Sequence, residues 1–249
     1  MDSHRPAETL TLPPLGWRIT PRHALLAGAV CWLGFALVAT LVLSDRLGAF
    51  DSAGLRYFRT GADDHAAASP AMLEAVRDWT ALGGVLLRNM IALVALAALL
   101  FARLRREATL LAATIISGWL VSTLIKLAVG RPRPALVSHL TEAGGASFPS
   151  GHSFNSAVVY MGIALTVAAF SARRSVRWSL IAGAGLVTAL IAVSRVWLGV
   201  HYPSDVLAGW LGGMAWAFTA SAVLYRPTRQ LADQAAPPIE AATPGEAAL

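Results

Sequence analysis

The stretch Ser194-Arg195-Val-Trp-Leu-Gly-Val-His201-Tyr-Pro-Ser-Asp205 sets an arginine, a histidine and a carboxylate at the mouth of an apolar helix. A carboxylate one helical turn after a histidine can hold one ring nitrogen and leave the other as a fixed lone pair, the arrangement of a nucleophile or a base with its orienting group. Pro203 lies between them, where a helix can begin, so Asp205 falls in the first turn and faces back toward His201. Arg195 closes the preceding apolar run, where a charge is costly and therefore a functional candidate. Two further polar clusters interrupt the chain. Lys126-Leu-Ala-Val-Gly-Arg131-Pro-Arg133-Pro134 offers a point charge at a helix end and a planar guanidinium just beyond it. In Phe148-Pro149-Ser150-Gly151-His152, at the start of another apolar run, the free backbone N–H groups of Ser150, Gly151 and His152 and the Ser150 hydroxyl are suited to cradling an oxyanion.

The chemistry these residues suit is transfer of a phosphoryl group. His201, with Asp205 behind it, is the expected nucleophile, forming a phosphohistidine, and His152 is expected to protonate the leaving oxygen and then to activate water. Lys126, Arg133 and Arg195 supply positive charge. No acidic cluster and no His/Cys set has metal-ligand spacing, so the expectation is a reaction without metal or other cofactor, with the cations doing what magnesium does elsewhere.

The elements that must position these groups are membrane helices. Of 249 residues 56% are hydrophobic and 14% charged, with a mean hydropathy of +0.58, which places the chain outside the ordinary soluble class. Apolar runs at 24–43, 82–101, 108–129, 154–170, 178–200 and 206–224 predict an all-α, polytopic, six-transmembrane-helix bundle. A cytoplasmic tail over 1–23, a membrane domain over 24–225 and a disordered, Pro/Ala-rich tail over 226–249 complete the expected organisation. A signal peptide is the rival reading of the first run, which is long for one and has no clear cleavage site after it. The formal charge of +6 reports orientation here rather than nucleic-acid binding. Arginines gather in the turns 102–107 and 171–177 and in both tails, whereas the 44–80 loop is net acidic, which predicts both termini cytoplasmic and the three polar clusters on the outer face. Trp79 and Trp197 would mark that outer interface and Trp17 and Trp178 the inner one. The single cysteine, Cys31, excludes an intramolecular disulfide, and the single lysine is the one beside the first cluster, Lys126.

In these three clusters the chain resembles the type 2 phosphatidic acid phosphatase superfamily. The family signature of a lysine, six residues and Arg-Pro, then Pro-Ser-Gly-His, then Ser-Arg, five residues, His, three residues and Asp is met by Lys126 with Arg133-Pro134, by Pro149 to His152, and by Ser194-Arg195 with His201 and Asp205. The resemblance implies a six-helix membrane fold, a phosphohistidine on His201, acid catalysis by His152, and phosphate binding by Lys126, Arg133, Ser150, Gly151 and Arg195. It further implies a lipid phosphate or diphosphate substrate among the membrane lipids, with no obligate protein partner, and an extracytoplasmic site in a bacterial inner membrane. Phosphatidic acid, phosphatidylglycerol phosphate and polyprenyl diphosphate are all compatible.

Vanadium-dependent haloperoxidases carry the same signature and form one rival reading, disfavoured by the six apolar runs. A non-catalytic lipid-binding or transport protein is the other, disfavoured by the intact His152, His201 and Asp205. Arg131 reads as a phosphate ligand, a lipid-headgroup contact or plain surface charge. Arg88 reads as a snorkelling or bundle-bridging residue, with contact to substrate as the lesser alternative. Asp63-Asp64-His65 reads as a solvated loop, and Gly209 with Gly213 as a helix-packing pair.

Overall fold

The computed structural model describes residues 21–60, 65–66, 69–171 and 173–235. Eight helices and one two-residue ribbon follow in order: α1 (Pro21–Leu43), α2 (Gly48–Arg56), β1 (Arg59–Thr60), β2 (His65–Ala66), α3 (Pro70–Ala81), α4 (Val85–Phe101), α5 (Arg105–Val129), α6 (Gly151–Ala168), α7 (Arg174–Trp197) and α8 (Pro203–Ala235). The strands pair antiparallel, Arg59 opposite Ala66 and Thr60 opposite His65. Most of the tail expected over 1–23, together with Asp63, Asp64 and the chain after Ala235, lies outside the described residues. Helix α8 runs to Ala235, past the boundary at 225 expected for the membrane domain.

All six apolar runs fold as helices, but they are not equal. Four helices, α1, α5, α7 and α8, are long and apolar enough to cross a membrane. A fifth span results if α3 and α4, bent by 45°, are taken together. Gly83-Gly84 interrupts the run expected at 82–101, so α4 starts only at Val85. Helix α6 has 18 residues, and its first turn, Gly151-His152-Ser153, is polar. At 1.5 Å per residue it reaches about 27 Å, short of the ~30 Å hydrocarbon thickness. The count from length and composition is therefore four to five rather than six.

Helix α6 stands at the centre because it is apolar around most of its circumference, and it packs on α4, α5, α7 and α8. Its Ala157, Met161 and Leu165 meet Ile181 of α7 and Met214, Ala217 and Phe218 of α8 in the main buried cluster. Gly209 permits the close approach of α8 that this requires, since a Cβ there would lie 2.7 Å from the Ser150 carbonyl oxygen. On the outside, Leu26, Val30, Leu33 and Leu37 form an exposed stripe on α1, and Leu86, Met90, Leu93 and Val94 do the same on α4. Continuous apolar surface of this extent belongs in lipid, and the chain is an integral membrane protein.

Local signals fix the helix ends that matter. Ser69 caps α3, its hydroxyl accepting from Met72 N at 3.3 Å, with Pro70 in the first turn. Gly130, at φ +59°, takes the left-handed conformation that ends α5 just after Lys126. Ser150 caps α6 and Pro203 opens α8. Consecutive long helices alternate in direction. The end of α5, the start of α6, the end of α7 and the start of α8 therefore share one end of the bundle, and the turns α4–α5 and α6–α7 lie at the other.

Candidate active site

At that shared end lies a cavity of about 240 Å³ lined by Lys126, Arg133, Gly151, His152 and His201, together with Arg88, Trp119, Asn155 and the backbone of 144–146. Residues from three separate stretches of sequence, Lys126 and Arg133, Gly151 and His152, and His201, thus meet in one cup.

His201 sits in the short link between α7 and α8, only 2% exposed. Its Nδ1 lies 3.6 Å from Asp205 Oδ2, four residues on, as the first-turn placement predicted. That separation exceeds a hydrogen bond, and Ser147 fills the gap: its Oγ donates to Asp205 Oδ2 and stands 3.4 Å from His201 Nδ1. On the other side of the ring, Arg133 Nη1 is 3.1 Å from Nε2. A guanidinium has donors only, so Nε2 accepts, and the ring proton belongs on Nδ1, facing Asp205. Burial pushes the His201 pKa down to about 4, with the Arg133 and Arg195 charges adding to that and Asp205 opposing it. The imidazole is neutral with its lone pair on Nε2, toward the cup.

Asp205, fully buried, is held at both oxygens. Oδ2 accepts from Tyr202 N at 2.9 Å as well as from Ser147, and Oδ1 accepts from Arg131 Nη1 at 2.7 Å. Arg131 also donates to Asp51 Oδ2 at 2.8 Å and lies 4.2 Å over the Tyr202 ring. Asp51, on α2, closes the circle by accepting from Ser204 N at 2.9 Å and Ser204 Oγ at 2.7 Å. This matches none of the readings open for Arg131: it lies behind the cup as the partner of two carboxylates.

Lys126 and Arg133 are steadied by loop carbonyls. Lys126 Nζ donates to Ala146 O at 2.7 Å, and Arg133 donates to Gly144 O at 2.7 Å, Gly145 O at 3.1 Å and Val200 O at 2.7 Å. Arg195 is 4% exposed and does not line the cavity; its Nη1 donates to Thr80 Oγ1 at 3.0 Å, while its Nε is buried without a partner. Ser150 does not reach the cavity either. Its Oγ accepts from Ser153 Oγ at 3.0 Å and from Ser153 N at 3.4 Å, so the hydroxyl is engaged in capping α6. Gly151 does reach it, and a Cβ there would come 3.5 Å from Lys126 Cε.

Four residues outside the three motifs turn out to support the site: Asp51, Thr80, Arg88 and Ser147. Asp51 and Thr80 come from the 44–80 segment, which reads as a mixed loop because its short helices α2 and α3 carry charges of both signs. Ser147 sits among small residues with no pattern of its own. Arg88 does not snorkel. It is 6% exposed inside the bundle, donating to Gly83 O at 3.1 Å, and Gly83 backs onto the His152 ring.

A helical membrane bundle with a cationic cup and a carboxylate-backed histidine at one end is a class of membrane protein built to receive an anion. The chain belongs to the PAP2 superfamily, whose family model matches residues 106–229. Over 98 residues, 38% of this chain and 47% of the other, it is 37% identical to Phosphatidylglycerophosphatase B of Bacillus subtilis (strain 168). Over 123 residues, 47% of this chain and 58% of the other, it is 36% identical to Undecaprenyl-diphosphatase BcrC of the same organism. These matches span about half the length of the curated relatives. The fold is similar to that of the first transmembrane PAP2 type phosphatidylglycerolphosphate phosphatase from Bacillus subtilis, with a TM-score of 0.71 and 24% identity over 82% of this chain and 96% of that one.

Proposed function

We propose that this protein is a phosphatase that hydrolyses a lipid phosphate or diphosphate in two steps. His201 Nε2 attacks phosphorus, and His152 gives its proton to the leaving oxygen. Water activated by His152 then cleaves the phosphohistidine, releasing inorganic phosphate and restoring both rings. Asp205 keeps the proton on Nδ1 and stabilises the charge that develops as Nε2 bonds to phosphorus. Lys126 and Arg133 take the phosphoryl oxygens, exchanging the loop carbonyls for a charged acceptor, and Arg195, which does not line the cup, adds its charge from behind. The Ser150 cap presents the α6 N-terminus, with Gly151 N–H, to the same anion.

The observation that carries this reading is that the cup does not end in protein. Val85, Arg88, Trp119 and Asn155 line both the cup and a second, mainly apolar cavity of about 520 Å³ lined by α4, α5 and α6. Its rim residues Val85, Leu93, Ile116 and Trp119 are exposed on the lipid-facing side. A molecule with its tail in the bilayer can thus slide sideways until its phosphate meets the two histidines. Polyprenyl diphosphate, phosphatidylglycerol phosphate and phosphatidic acid all have that form, and the two curated relatives bear names of the first two kinds. The arginine distribution favours six spans, with α4 and α6 crossing alongside the four longer helices, both termini cytoplasmic, and the cup on the periplasmic side of a bacterial inner membrane.

The test is a phosphate-release panel on the purified protein in detergent. The three lipids are each assayed with EDTA and with added magnesium. The expected outcome is release from at least one lipid, unchanged by EDTA. Release that vanishes in EDTA and returns with magnesium would overturn the metal-free mechanism, and no release from any lipid phosphate would overturn the function.

A further inference from the structure

The threshold between the cup and the apolar cavity is itself polar, although nothing in the two-step reaction requires it to be. Arg88 brings a full charge there at 6% exposure, and its hydrogen-bond acceptors, Gly83 O and Asn89 Oδ1, are both neutral. Among the described residues no carboxylate lies within ion-pair reach of it. A buried guanidinium without a counter-charge is costly, and a site that keeps one gains when an anion arrives. Asn155 sits on the same threshold, one turn into α6, and lines both the cup and the apolar cavity. Its Nδ2, the donor end of the amide, lies 3.9 Å from where a Gly151 Cβ would stand, at the edge of the cup.

Resting on the function proposed above, we infer that Arg88, with Asn155, is a second phosphate subsite, and that the preferred substrate is a lipid diphosphate rather than a monophosphate. The β-phosphoryl group lies in the cup and the α-phosphate, joined to the tail, lies against Arg88 and Asn155. When His201 Nε2 bonds to the β-phosphorus, the bond from that phosphorus to the bridging oxygen breaks. The bridging oxygen takes the proton from His152 and leaves as part of the lipid monophosphate, whose charge Arg88 meets. Water then converts phosphohistidine to inorganic phosphate.

Charge balance points the same way. Lys126, Arg133, Arg195 and Arg88 bring four positive charges to the cup and its walls, and none of the residues lining it is acidic. Behind it, Asp51 and Asp205 share the single Arg131 and leave one negative charge. With the proton that His152 must carry to act as an acid, the remainder is four positive charges, nearer the roughly three of a lipid diphosphate at neutral pH than the roughly two of a monophosphate.

The experiment compares tail-matched polyprenyl diphosphate and polyprenyl monophosphate as substrates for the purified wild type, Arg88→Gln and Arg88→Lys. Wild type should favour the diphosphate by about tenfold or more in kcat/KM, and Arg88→Gln should cut that ratio at least about tenfold, with Arg88→Lys between them. A ratio that stays within about twofold of wild type in Arg88→Gln, both substrates losing alike, would overturn the inference. Should Arg88→Gln fail to fold, wild type alone decides: methylenediphosphonate should inhibit at least about tenfold more tightly than inorganic phosphate, and equal inhibition would overturn it. Failure of the underlying function would look different, as no phosphate released from either lipid.

Discussion

Replacing His201 by alanine should reduce phosphate release from any lipid substrate by about 10⁴-fold or more, because the attacking atom is gone and the cations alone form no bond to phosphorus. Binding should survive in large part, since Lys126, Arg133 and the α6 N-terminus are untouched. Steady-state phosphate release and equilibrium binding of inorganic phosphate, measured on the same preparation, separate the two effects. The pH profile of the wild type carries the same claim. Burial lowers the His201 pKa from 6.5 to about 4, so in the folded protein Nε2 stays free of protons down to that pH. The acid limb of kcat/KM due to this residue should therefore fall near pH 4 and not near 6.5. The linked stability has a definite sign. Between about 6.5 and 4 the unfolded chain binds the proton and the folded one does not, so this residue destabilises the fold as pH falls through that window.

The second large effect belongs to His152. Its alanine variant should lose about 10² to 10⁴ in kcat on lipid substrates, whose alkoxide or phosphate leaving groups need a proton. An aryl phosphate with a good leaving group needs none in the first step but still needs a base in the second. Stopped-flow on p-nitrophenyl phosphate should thus show a burst of nitrophenolate of about one per enzyme followed by slow turnover, as the phosphohistidine accumulates. A uniform loss on both substrates with no burst would mean that His152 is needed before any bond to phosphorus forms.

How much of this was legible in the sequence follows from the physics of each part. The proximity of His201 and Asp205 was readable because His201, Pro203 and Asp205 are local: a proline that opens a helix fixes where the carboxylate points. The convergence of Lys126, Arg133 and His152 with that pair was readable because charges in apolar sequence must face inward and because alternating helices return to the same end. Ser150 shows the limit of motif reading, since its hydroxyl is engaged in capping α6 and does not line the cup. Asp51 and Thr80 were not legible. They act through pairing with Arg131 and Arg195 across 80 and 115 residues, and no periodicity announces such a partner. Arg88 was visible as an anomaly but not as a threshold residue, because that depends on the bend at Gly83-Gly84, which swings α4 under the cup. Length and composition alone support four to five spans, and α6 shows why they stop short of six. Helix α6 is buried by its neighbours, so it need not itself have the length and apolarity of a lipid-facing span.

The central claim is that His201 and His152 address one phosphoryl group from opposite sides inside a cup of Lys126 and Arg133. A crystal structure of the protein with orthovanadate, which adopts the five-coordinate geometry of phosphorus in flight, tests it most directly. The account predicts vanadium bonded to His201 Nε2, with the oxygen opposite that bond within hydrogen-bond reach of the His152 ring and equatorial oxygens on Lys126, Arg133 and Gly151 N. Vanadate bound elsewhere, or bonded to a different side chain with the His201 ring turned away, would contradict it.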